Sequence, residues 1–119
     1  MPKALPLIDM TSPVCCAPIA DGIVSDDDAL DIALRLKALA DPARVQLISM
    51  LLAAGDPGVC TCDLAPALEL SQPTVSHHLK QLREAGLVES TRKGTNVYYR
   101  ARLDGLGALC RVIDPSCCT

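Results

Sequence analysis

Apolar positions follow no sustained period over the first 25 residues, and four of the nine prolines (Pro2, Pro6, Pro13 and Pro18) fall there, so this stretch reads as an irregular arm. Helical signals begin at Ser25, which offers an N-cap followed by the first-turn carboxylates Asp26, Asp27 and Asp28. Residues 29–40 are apolar nearly all round, broken mainly by Asp31, Arg35 and Lys37, which predicts a helix buried on more than one side. Asp41 and Pro42 repeat the start signal, and Val45, Leu47, Ile48, Leu51 and Leu52 form the stripe of a second helix that ends at residues 55–58. A short third helix is predicted over residues 61–68, with Pro66 placed to weaken or kink it. Ser71 caps a fourth. There Val75, Leu79 and Leu82 share a narrow arc at about 100° per residue, which turns His77, Lys80 and Glu84 outward with Pro73 and leaves His78 flanking the core.

Gly86 stops that helix, and residues 87–92 and 95–102 alternate as two strands around a Lys93-Gly94 hairpin turn. From Asp104 onward, Leu106, Leu109, Cys110, Val112 and Ile113 predict a last helix, weakened by Gly105 and Gly107 and ended by Pro115. Three helices, a further helix after a short turn, a hairpin and a closing helix make a mainly α fold with a small β-hairpin: a winged helix-turn-helix. Residues 26–114 form this domain. Residues 1–25 form the arm, which carries Cys15 and Cys16, and residues 115–119 a tail with Cys117 and Cys118.

Composition adds a second subunit to the picture. The 119 residues include no Phe, no Trp and only two Tyr, so the core is built from Leu, Ile, Val and Ala, and a chain this short leaves apolar surface for a homodimer partner to cover. Charge adds nucleic acid. The net charge of −3 hides a split: residues 1–70 carry four Lys and Arg against ten Asp and Glu, whereas residues 71–102 carry six (Lys80, Arg83, Arg92, Lys93, Arg100, Arg102) against two (Glu84, Glu89). A local excess of positive charge on the fourth helix and hairpin is what a phosphate-facing surface requires. Ser71, Gln72, Thr74, Ser76 and His77 offer donors and acceptors near the helix start, suited to base edges and phosphates of double-stranded DNA. Lys80 and Arg83 add backbone charge, while Arg92 and Lys93 at the hairpin tip are placed to reach a neighbouring minor groove.

No apolar run is long enough to cross a bilayer and no secretory signal is visible, so the expected location is the cytosol, with no membrane partner. Seven cysteines in that reducing compartment favour metal ligation or redox sensing over a disulfide frame. No paired acid and base or phosphate loop appears. A thiol oxidoreductase is therefore thinly supported, and the chain reads as a binding protein rather than an enzyme.

The runs Leu36-Lys37-Ala38-Leu39-Ala40-Asp41-Pro42-Ala43-Arg44, Cys60-Thr61-Cys62-Asp63-Leu64 and Ser71-Gln72-Pro73-Thr74-Val75-Ser76-His77-His78-Leu79 closely resemble the ArsR/SmtB family of metal-responsive repressors, over roughly residues 29–113. The resemblance implies a homodimer that binds an imperfect operator palindrome and leaves it when a toxic metal or metalloid binds. It also matches Cys60 and Cys62 to the position where arsenic, antimony, cadmium and lead sensors of the family hold their inducer. On an ideal helix, residues two apart point about 200° away from each other, so one ion could bridge both sulfurs only if the helix start unwound. Cys15 or Cys16 would supply the third sulfur of an As(III) site, the favoured inducer; all four cysteines would suit Cd(II) or Pb(II) instead. Cys110, Cys117 and Cys118 form a separate, less favoured set, open to a site of its own, to pairing with the other subunit's arm, or to redox chemistry. A thiol-redox-responsive repressor is the remaining alternative. The interfacial zinc or nickel site of other members is disfavoured, because the only histidines, His77 and His78, are adjacent and point about 100° apart.

Overall fold

The computed structural model describes residues 22–113. In chain order they form α1 (Asp26–Leu39), α2 (Pro42–Ala54), β1 (Val59–Cys60), α3 (Thr61–Leu68), α4 (Gln72–Glu84), β2 (Val88–Lys93), β3 (Asn96–Ala101) and α5 (Leu103–Ile113). The arrangement is a winged helix-turn-helix, mainly helical with a small antiparallel hairpin. Residues 1–21 of the expected arm, residue 114 at the end of the domain and the expected tail at residues 115–119 lie outside the described residues, and Cys15, Cys16, Cys117 and Cys118 with them.

Capping chemistry explains where the helices start. Ser25 accepts from the Asp28 N–H, Asp41 Oδ1 accepts from Ala43 N–H at 2.8 Å ahead of Pro42, and Ser71 Oγ accepts from Thr74 N–H at 3.3 Å. Each bond satisfies a donor that the first turn otherwise leaves open. At the other end of α4, Gly86 takes φ 74°, its N–H donates to Arg83 O, and Leu87 N–H donates to Leu82 O. This paired closure turns the chain sharply from α4 into β2.

The core lies between α2, α3, α4 and the inner face of the sheet, where Leu47, Leu64, Val75, Leu79, Leu82 and Leu87 are all fully buried. β2 and β3 pair from Val88↔Ala101 to Lys93↔Asn96 around Gly94, whose φ of 64° suits a two-residue hairpin loop. The hairpin is not alone. β1 adds a third strand, in the order β1-β3-β2, with Val59 opposite Tyr99 and Cys60 opposite Tyr98.

Two local expectations change. α1 buries a single stripe, Ile32, Arg35 and Ala38, rather than several sides, and Leu36 stays exposed. Arg35 tolerates burial because Asp31, one turn earlier, accepts from its Nε at 2.7 Å. α3 spans Thr61–Leu68 as expected, with Pro66 inside it. Gly105 is less a weakness than a requirement: a Cβ there would overlap the carbonyl oxygen of Gly86, so glycine lets α5 close against the turn after α4. Ile32 of α1 then packs with Ala108 and Val112 of α5 in a second, smaller cluster.

Candidate functional site

The turn between α3 and α4 is only three residues, and it is held by Glu69 in the left-handed region (φ 56°) and by Leu70 N–H donating to Ala65 O at 3.0 Å. This geometry makes α3 and α4 the two helices of a helix-turn-helix. With Val75, Leu79 and Leu82 buried inward, α4 presents Gln72, Thr74, Ser76, His77, Lys80 and Arg83 to solvent, together with its cap Ser71. The Ser71 and Thr74 hydroxyls share a hydrogen bond of 2.8 Å, so both are pre-oriented at the helix start. Arg92 and Lys93 are exposed at the wing tip, where Lys93 Nζ stands 5.8 Å from the centre of the Tyr98 ring. The structure thus gathers all nine sequence-predicted DNA residues on α4 and the wing.

Electrostatics sort the six basic residues of this region. Asp56 and then Glu89 accept hydrogen bonds from the Arg100 guanidinium and hold its pKa above the ordinary arginine value. Asp104 does the same for Arg102, with Nη2 and Oδ2 2.8 Å apart. Both charges are matched within the chain. Arg83 donates to the neutral Ser90 Oγ at 3.3 Å, and Lys80, Arg92 and Lys93 stand exposed, so four cations carry the unmatched positive field.

The thiol pair sits behind this surface. Cys60 ends β1 and caps α3 in extended conformation (φ −76°, ψ 149°), while Cys62 is the second residue of the helix. The unwinding expected from helical geometry is therefore not needed, because Cys60 lies outside the helix. The Cα atoms are 5.1 Å apart, the two sulfurs are joined as a disulfide, and Cys60 Sγ accepts from Cys62 N–H at 3.1 Å. Cys60 is buried and Cys62 exposed. Cys110, on α5, is also disulfide-bonded. Among the described residues no group of three or more His, Cys, Asp or Glu is placed to hold a metal ion.

Sequence reasoning missed β1, and with it the anchoring of Cys60 in the sheet. It also missed Arg44, whose Nε donates to His78 Nδ1 at 3.1 Å across 34 positions of sequence. Arg44 lies in the first turn of α2, and nothing local announces its partner.

A helix-turn-helix with a basic recognition surface and a wing defines a DNA-binding regulator, and the comparisons agree. Residues 41–90 match the model of the arsR family of bacterial regulatory proteins. The chain is 50% identical over 64 residues to the arsenic resistance transcriptional regulator ArsR1 of Pseudomonas putida, a match covering 54% of this chain and 48% of that one. It is 33% identical over 84 residues to the arsenical resistance operon repressor of Staphylococcus xylosus (71% and 78%). Against a cadmium resistance transcriptional regulatory protein CadC homolog of Staphylococcus aureus, the identity is 36% over 76 residues (64% and 61%). The homodimeric winged helix-turn-helix DNA-binding domain Mb0332 of Mycobacterium bovis superposes with a TM-score of 0.61 at 33% identity, covering 76% of this chain and 84% of that one. This chain belongs to the ArsR family, a family of DNA-binding transcriptional regulators rather than enzymes. It spans about half the length of several curated relatives it matches. Among the described residues no helix is long and apolar enough to cross a membrane.

Proposed function

We propose that the protein is a metal(loid)-responsive transcriptional repressor. As a homodimer it binds operator DNA through α4 and the wing, and it releases the DNA when As(III) is held by cysteine thiolates. One observation carries the reading: Cys60 and Cys62 meet at the start of α3, the helix that supports the recognition helix across a three-residue turn. The reduced pair presents two soft donors that suit As(III). Each thiol replaces one hydroxyl of arsenous acid: an As–S bond forms, an As–O bond breaks, and the thiol proton leaves with the hydroxyl as water. Cys15 or Cys16 supplies the third sulfur. Binding takes Cys60 Sγ away from its capping bond to the Cys62 N–H, so α3 loses its N-terminal acceptor as the ion arrives. That differential cost shifts the dimer toward its low-affinity state.

A four-sulfur Cd(II) or Pb(II) site from the same four cysteines is the alternative, and the CadC homolog among the relatives favours keeping it in the test. The Cys60–Cys62 disulfide favours one further reading, a repressor switched by oxidation of this pair with loss of two electrons and two protons to an external oxidant.

Fluorescence anisotropy of the DNA immediately upstream of the coding region separates the three. The reduced protein is titrated with As(III), Cd(II) and Pb(II) in turn. Release by near-stoichiometric As(III), abolished in Cys60→Ala and Cys62→Ala while DNA binding persists, is the expected result. Release by Cd(II) or Pb(II) alone would install the four-sulfur site, and release by mild oxidant alone the redox switch. Full induction in both cysteine variants would overturn the thiol assignment.

A further inference from the structure

Arg44 stands where three helices meet. From the first turn of α2 its Nη1 donates to Ala38 O near the end of α1 at 3.4 Å, and its Nε donates to His78 Nδ1 on α4 at 3.1 Å. A guanidinium has donors and no acceptors, so Nδ1 in this contact is unprotonated and the proton of the neutral imidazole sits on Nε2. The arginine therefore selects one tautomer.

Nε2–H has no partner within the described residues, and His78 is not among those with further, unnamed interactions. No buried side-chain nitrogen or oxygen in the described residues lacks a partner either. Nε2 of half-buried His78 accordingly reaches solvent. His78 follows Ser71 and Thr74 at the helical spacing of one stripe, and its ring lies 6.0 Å from the exposed ring of His77.

We propose that Arg44 is a positioning residue for DNA binding: it locks His78 as the Nε2–H tautomer, so that Nε2–H donates to a phosphate oxygen of the DNA backbone beside the Ser71–Thr74 pair. The inference rests on the DNA-binding reading above and adds a contact partner and its chemistry. A neutral donor to phosphate displaces no condensed cation, so it contributes affinity with no sequence preference and no salt dependence of its own.

The test uses the full reduced chain with 15N-labelled histidine. Long-range 1H–15N spectra of the wild type should show His78 Nδ1 unprotonated and Nε2 protonated, whereas Arg44→Ala should show a mixture of tautomers. In anisotropy titrations His78→Ala and Arg44→Ala should each lose affinity roughly tenfold, on operator and random duplex alike, His78→Ala with an unchanged salt slope. His78→Gln, whose amide N–H reaches the Nε2 position, should retain most of the affinity. Thermal melts check folding; should Arg44→Ala fail to fold, the His78 variants carry the test. A mixed tautomer in the wild type, an unchanged tautomer in Arg44→Ala, His78→Ala within twofold of wild type, or His78→Gln as weak as His78→Ala would each overturn the assignment. A wild type that binds no duplex at all would sink the DNA-binding reading along with it, whereas a wild type that binds while His78→Ala is unaffected would sink this assignment alone.

Discussion

Neutralising Lys80 tests the electrostatic picture quantitatively. Lys80, Arg83, Arg92 and Lys93 are the exposed cations of α4 and the wing that no carboxylate of the described region matches, and a homodimer presents two copies of the set. If each faces one phosphate, about eight contacts give a slope of log K against log salt near −7, or about 10⁴-fold weaker binding when salt rises from about 50 to about 200 mM. Lys80→Gln removes one contact per protomer, which lowers the slope to about −5.4 and the same loss to about 2 × 10³-fold. Arg100→Gln is the internal contrast, since it changes net charge equally at a side chain already bonded to Asp56 and Glu89. It should leave the slope where it was. The assay is anisotropy of labelled duplex at four or more salt concentrations. A wild-type slope near zero would refute a phosphate-facing role for this surface. Equal slope changes in Lys80→Gln and Arg100→Gln would refute the distinction between matched and unmatched cations.

Leu79→Ala deletes three carbons from a fully buried site and should cost about 3–5 kcal/mol, read as a lower urea midpoint at fixed protein concentration, while Val45→Ala, at a site 55% exposed, should cost about 0.5 kcal/mol or less. Gly105→Ala forces a methyl group onto the Gly86 carbonyl, backbone against backbone, and should destabilise by at least about 1–3 kcal/mol; an unchanged melting temperature would contradict that packing. The Asp104 carboxyl is held below its usual range by hydrogen bonding from Arg102. A folded pKa depressed in this way contributes stability above the unfolded carboxylate value of about 3.9, and that contribution disappears as pH falls through the folded value. Asp104→Asn should therefore flatten a small part of the acid limb of the pH–stability curve, and an identical acid limb would show the pair to be inert.

Much of the fold was legible because it is written locally. The caps at Ser25, Asp41 and Ser71, the Gly86 closure and the Val75, Leu79, Leu82 stripe are set by neighbours within one or two turns, and the winged architecture follows from their order. What escaped depends on distant partners. A two-residue strand has no periodicity to detect, so β1 exists only through its pairing with Tyr98 and Tyr99. The same pairing draws Cys60 out of the helix, and so the helical angle between Cys60 and Cys62 misled where the spacing did not. Arg44 and His78 each carry an ordinary local signal, and only the tertiary fold brings them together. Arg100 and Arg102 read as surface charge in the sequence, but the fold sets Asp56 and Glu89 beside the first and Asp104 beside the second.

Cys60 pairs by its backbone with β3 and caps α3 by its side chain. The joint between sheet and helix is thus a single residue, with no linker on either side. Inserting one residue after Cys60 would hand the cap to a newcomer, and inserting one before it would turn its sulfur to the opposite face of the sheet. At this joint the length of the chain is itself a fixed part of the structure.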